Sequence, residues 1–193
     1  QIESDYPDER SKVQIGDTYA MHAQAAREHL NTLIRHTCIH ILESAAQSLP
    51  AALTQSLTGF VWTDLFGVYK ETPQVALPKE ERAQHLLRVA GAANDLHARV
   101  ATLLEYRPTN EFPELRKHLA HLRKILTDEF SVSDEGIERL PAKAQGTFRI
   151  GSATDPEATY RVHGPDPEDT SFGYNVQVAM TTSGLIRETK AYT

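Results

Sequence analysis

The stretch FGYNVQVAMTTSGLI, residues 172–186, carries the plainest pattern in the chain. Tyr174, Val176, Val178 and Met180 fall on one side of an alternating run and Asn175 and Gln177 on the other, the period of a half-buried strand. Ser183-Gly184 supplies a turn, and Leu185 to Tyr192 returns as the next strand. Upstream, residues 141–171 hold four prolines and three glycines and read as a succession of turns. Near the other end, KVQIGDT (residues 12–18) alternates around Val13 and Ile15 and reads as a short strand ending at Asp17.

Between these strands the period becomes that of a helix. Leu30, Leu33, Ile34, Cys38, Ile41 and Ala45 recur at three- and four-residue steps, predicting one long helix from about Tyr19 to Ser48, with Pro50 ending it. Residues 51–57 predict a short helix closed by Gly59, and residues 58–74 an irregular linker whose Phe60, Trp62 and Phe66 plug onto the helices. Pro78 with Glu80 and Glu81 marks another helix start: proline loses little in the first turn, and acids suit the positive end of the helix dipole. Its stripe of Leu86, Val89, Ala93, Leu96, Val100 and Leu104 runs to about Glu105, and a further helix from Pro113 carries Leu115, Leu119, Leu122 and Leu126. The three long stripes can bury one another as an antiparallel bundle. SVSDEGIERL, residues 131–140, reads as a hairpin turning at Asp134-Glu135-Gly136.

With 193 residues, 40% hydrophobic and 24% charged, the chain can hold one substantial core, or a small domain with an appendage. No apolar run approaches the roughly 18 residues of a membrane span. The polar, acidic start QIESDYPDERSK is neither a signal nor a transit peptide, and its lack of an initiator Met suggests a trimmed or internal piece. Cys38 stands alone, which excludes an intrachain disulfide and a cysteine-based zinc site and fits a reducing, cytosolic compartment. The net charge of −6 argues against a free-standing, strongly basic nucleic-acid module. Met21 to Leu140 carries 13 Lys+Arg against 15 Asp+Glu, so any DNA affinity must come from a local patch or from protein outside this chain.

Most of the chemistry-bearing residues read as structural. His36 and His40 have the four-residue helical spacing of a metal-binding pair, but the glutamate of an HExxH motif is missing, and a solvated or packed helix face is the better reading. His118 and His121 read the same way. Ser152, Ser171 and Ser183 lack a GxSxG-like setting, Cys38 sits mid-helix, and GTFRIGSA has the wrong spacing for a phosphate-binding glycine loop. Asp17 remains. A carboxylate closing a strand can hold a metal on a rigid element, although an Asp just before a helix more often serves as an N-cap.

Two motifs shift that balance. SATDPEATYRVHG (residues 152–164) followed by FGYNVQVAMTTSGLI resembles the catalytic core of DDE-type insertion-sequence transposases, and QIGDTYAMHAQAARE (residues 14–28) resembles the segment around their first catalytic Asp. The resemblance spans nearly the whole chain in order, including LPKEERAQHL and ELRKHLAHLRKILTDEF in its helical body. It implies an α+β fold: a ribonuclease H-like mixed sheet, truncated here, with a mainly helical bundle inserted between its first and second strands. The corresponding divisions are residues 1–18 for the first strand, 19–140 for the helical insertion, and 141–193 for the turn-rich segment with the second and third strands. It further implies a bacterial, cytoplasmic enzyme, nucleoid-associated when bound to DNA, that cleaves transposon ends and transfers them to target DNA, as a homo-oligomer in some cases. Three carboxylates would hold two Mg²⁺ ions, and Asp17 would be the first of them, catalytic and metal-binding at once. Arg149, Arg161 and His163 are the candidates for phosphate contact, each with an ordinary salt bridge or loop anchor as the alternative. The second Asp, expected within about ten residues after Thr193, and the later Glu have no counterpart in this sequence, so the fragment itself is expected to be inactive and to bind Mg²⁺ weakly.

The rival reading is a non-catalytic helical interaction module with an appended β-hairpin, in which residues 13–17 do not pair with the C-terminal strands. A second rival is a histidine-dependent metal-binding helical protein.

Overall fold

The computed structural model describes residues 14–22, 27–58, 77–133, 136–146, 148–162, 170–183 and 186–192. Val13, the aromatic residues Phe60, Trp62 and Phe66, the turn glycine Gly184 and His163 therefore lie outside the described residues. The fold is α+β. By internal contacts it separates into two units, one joining Gln1–Arg27 to Glu157–Thr193, the other comprising Glu28–Pro156. The turn-rich stretch thus divides between them.

In the second unit, the proline signals start the helices where the sequence puts them. A short helix α2 (Ala51–Thr58) follows Pro50, and α3 (Lys79–Leu104) follows Pro78 with Glu80 and Glu81 in its first turn. Pro113 opens α4 (Pro113–Glu129), where its missing N–H costs no helical bond. The first helix, α1 (Leu30–Ser48), begins later than the apolar period suggests, because residues up to His22 belong to a strand. Glu28 fixes that start: its N–H donates to the Gly151 carbonyl at 2.9 Å, ahead of the first helical turn. The stripes of α1, α3 and α4 close on one another, with Ile34, Cys38, Ile41, Val89, Ala93, Leu96, Val100 and Leu122 fully buried. Burial of this kind contributes about 25 cal/mol per Å² of apolar surface and is the main support of the bundle. Strands β2 (Phe130–Ser133) and β3 (Gly136–Arg139) pair antiparallel as the DEG hairpin predicts, with Phe130 buried in the same core.

The first unit is a sheet. Strand β5 (Thr170–Thr181) is its longest member and pairs antiparallel with β1 (Gln14–His22) along one edge, Gln14 opposite Thr181 through His22 opposite Gly173. Its other edge takes β4 (Thr159–Val162) against residues 170–173 and β6 (Ile186–Tyr192) against residues 175–180. A bulge between Ala179 and Met180 interrupts the β6 ladder. Strand β1 lies beside β5 although more than 150 residues separate them in sequence, and the rival module expected no such pairing. Two expectations are corrected. Asp17 does not end its strand: the ladder runs five residues further, since Thr18 to His22 find partners on β5 that a local reading cannot see. Every described pairing is antiparallel, so the parallel component of a mixed sheet is not formed by these residues.

Candidate functional site

Asp17 occupies the middle of β1, opposite Val178, which is itself opposite Thr189 on β6. The helix nearest in sequence, α1, opens at Leu30, so Asp17 is not a helix N-cap; His29 holds that position without a side-chain capping bond. Aspartate is depleted in strands, because its short polar side chain competes for backbone partners and packs poorly on a pleated surface. On β5, Val178 opposite Asp17 and Val176 opposite Tyr19 are both buried. The position thus combines a strand-averse carboxylate with an apolar neighbouring strand.

Of the other predicted residues, only Arg161 lies on the same sheet among the described residues. Arg161 sits on β4 opposite Ser171, whereas Asp17 is opposite Val178. Seven residues of β5 separate these two rows, roughly 23 Å at 3.3 Å per residue. Arg149 belongs to the helical unit, where its Nη1 donates to Glu129 Oε1 at 2.9 Å and to Gln145 Oε1 at 2.7 Å. Glu129 is buried and also receives Arg139 Nη2 at 3.5 Å. The guanidinium of Arg149 thus anchors the loop after β3 to the end of α4, the alternative already attached to it.

The first half of the SATDPEATYR motif has a structural task. Ser152 is buried, and its Oγ accepts the Asp155 N–H at 3.3 Å and lies 3.1 Å from Thr154 Oγ1, which tightens the turn. Ala153 donates its N–H to Glu28 Oε2 at 3.3 Å, while His36 Nδ1 donates to Glu28 Oε1 at 2.6 Å. His36 is therefore committed to Glu28, and His40 instead faces α4, its ring 5.1 Å from that of His118, which lies 6.2 Å from the ring of His121. Burial lowers the pKa of His118, and the His40 ring beside it lowers it further, against a partial opposing pull from Glu114 and Glu43. Among the described residues no group of three or more His, Cys, Asp or Glu side chains is arranged to hold a metal ion. Cys38 is fully buried, which pushes its thiol far above the usual range and leaves it without nucleophilic character.

Sequence reasoning missed two features here. Strand β4, TYRV, is only four residues long and hides within a turn-rich stretch. Glu28, which braces the SATDP turn, has no local signal because its partner Ala153 is 125 residues away. Among the described residues, no helix is long and apolar enough to cross a membrane. A comparison with protein-family models, curated proteins and solved structures finds no match to this chain.

Proposed function

We propose that this chain is part of the catalytic region of a DDE-type insertion-sequence transposase, whose intact form cleaves DNA at transposon ends and joins them to target DNA. One observation carries the reading. The strand holding Asp17 pairs with the strand holding the GYNVQVA motif, across a long helical insertion, in the order the resemblance implies. Closing so long a loop is entropically unfavourable, and a mid-strand Asp goes against local preference. Natural sequences keep such local violations chiefly at functional positions.

On this reading Asp17 acts as an ionised carboxylate held on a rigid strand, and Arg161 and His163 are the remaining candidates for phosphate contact, with Arg149 tied to Glu129. The role of Asp17 would be to help hold the Mg²⁺ ions of the intact enzyme, which take oxygen ligands in near-octahedral geometry. The partner is DNA, with self-association as the mode of synapsing two ends. As a second reading, the separate core of residues 28–156 favours a helical interaction module.

The discriminating experiment compares wild-type full-length protein with Asp17→Asn for donor-end cleavage and thermal midpoint. Lost cleavage at an unchanged midpoint is the expected result. Near-normal cleavage would remove Asp17 from the catalytic set, and absence of donor-end cleavage by the wild-type protein would leave the interaction-module reading in its place.

A further inference from the structure

Within the helical unit, α3, α4 and β2 border an open cleft of about 450 Å³ lined by Asn94, His97, Arg123, Leu126, Thr127, Phe130 and Val132. This is within the range of roughly 300–1,000 Å³ typical of small-molecule sites. Its composition is one-sided. Leu126 and Phe130 are buried and form an apolar floor, and Val132 is an exposed apolar residue at the rim. Among the described residues no Asp or Glu lines it, although the chain carries an excess of acids.

Three of the polar lining residues, Asn94, His97 and Arg123, carry N–H donors. Asn94 and His97 stand three apart on α3, and Arg123 and Thr127 four apart on α4, spacings that place each pair on one helix face. Among the described residues, the side chains of Asn94, His97 and Arg123 have no hydrogen-bond or ion-pair partner within the protein. The neighbouring acids of α4 are engaged elsewhere: Asp128 with Lys124 at 2.7 Å, and Glu129 with Arg149 at 2.9 Å and Arg139 at 3.5 Å. Thr127 is committed to the helix backbone, donating to the Arg123 carbonyl at 3.0 Å or the Lys124 carbonyl at 3.1 Å. Partial burial first, and then the Arg123 charge, lower the His97 pKa below its ordinary value.

We propose that this cleft binds a small organic phosphate, its oxyanion on Arg123, Asn94 and His97 and its apolar or aromatic body against Leu126, Phe130 and Val132. A guanidinium presents a planar fork of donors that matches phosphate oxygens, and the absence of a lining carboxylate disfavours cations. An amide and an imidazole N–H complete a donor set around one oxyanion, and the apolar floor discriminates in favour of a phosphate that carries a ring over inorganic phosphate. The inference does not rest on the transposase reading. The phosphate has two sources in the cell, a free nucleotide and the 5′ end of a DNA strand.

The test titrates the chain with inorganic phosphate, phenyl phosphate, thymidine 5′-monophosphate and a 5′-phosphorylated oligothymidine, following the His97 ring resonances by NMR and heat by calorimetry. Phenyl phosphate and the nucleotide should bind saturably and more tightly than inorganic phosphate, and shift His97. Arg123→Gln, an exposed substitution, should weaken binding about tenfold or more, the loss of one charge-assisted contact, with an unchanged thermal midpoint. Asn94→Ala should weaken it less. Tighter binding of the oligonucleotide assigns the site to DNA ends, and tighter binding of the nucleotide to a free ligand. Binding that leaves His97 unmoved, survives Arg123→Gln unchanged, or fails to saturate with any probe overturns the proposal.

Discussion

Asp17 stands opposite Val178, and Val178 opposite Thr189, so a single row crosses three strands with β5 in the middle. Strand β5 is the only described element that joins β1, β4 and β6, and the sheet depends on its backbone groups on both edges. Because Val178 has neighbours on both sides, a residue without an N–H cannot be accommodated there as it could at an edge.

Val178→Pro should therefore dissolve the sheet while sparing the bundle. Amide exchange protection is expected to vanish across residues 173–181 and 14–22, while Val89, Leu96 and Val100 in the core of α3 stay protected. Loss of protection in both regions together would show that the two units unfold as one.

Glu129 tests the balance of a buried acid against two half-exposed bases. Its side chain is 9% exposed, against 50% for Arg139 and 43% for Arg149. Removing a base leaves a desolvated carboxylate short of a donor, whereas a freed arginine can turn to water. Arg149→Ala, which loses the 2.9 Å contact, should cost about 1–3 kcal/mol, and Arg139→Ala, which loses the 3.5 Å one, distinctly less. Urea unfolding of both variants measures the order, and a larger loss for Arg139→Ala would show that the longer contact carries the site.

The His118 environment gives a pH dependence with a definite sign. Burial first, then the neighbouring His40, lowers its pKa from the ordinary 6.5. As pH falls below about 6.5 the unfolded chain takes up a proton that the native state resists, so stability is full above this value and declines below it. His97, lowered by burial and by Arg123, adds a contribution of the same sign. The thermal midpoint should fall from about pH 7 toward pH 5, and His118→Gln or His97→Gln should each flatten that slope. A steeper slope in either variant would contradict the assigned direction.

What the sequence disclosed and what it hid divide along physical lines. The starts of α3 and α4, the β2–β3 hairpin and the β5–β6 return all follow from local signals: Pro78, Pro113, Gly136 and the alternation from Tyr174. The course of β1 beyond Asp17 was not legible, because Asp17-Thr18 looks like a stop and only pairing with residues 173–177 overrides it. For the same reason α1 begins at Leu30 and not at Tyr19, and Asp17 loses the capping role that its neighbourhood suggests. The commitments of His36 to Glu28 and of Arg149 to Glu129 depend on tertiary contacts that spacing along a helix cannot reveal. The cleft beside Arg123 was equally hidden, because its lining comes from two helices and a strand whose relative positions the pattern leaves open.

Gly146 offers a steric test of the loop that carries Arg149. Its N–H donates to the Asp128 carbonyl at 2.9 Å, which draws the loop onto the last turn of α4. A Cβ at this position would collide with the Asp128 carboxylate and come within 2.9 Å of its Cβ. The carboxylate cannot simply swing away, because Lys124 Nζ holds it at 2.7 Å, and the Asp128 Cβ is fixed by the helix backbone. Gly146→Ala should thus destabilise the protein by about 1–3 kcal/mol, the cost typical of overpacking a close contact. Asp128→Ala removes the carboxylate from the conflict and leaves only the Cβ contact. The double variant Asp128→Ala with Gly146→Ala should then lose less stability than the sum of the two single losses, by about 0.5 kcal/mol or more. Urea unfolding of the four proteins in this cycle reads the difference directly. Strict additivity would mean that the loop moves off α4 at no cost, and would discard the argument that Gly146 is there for space.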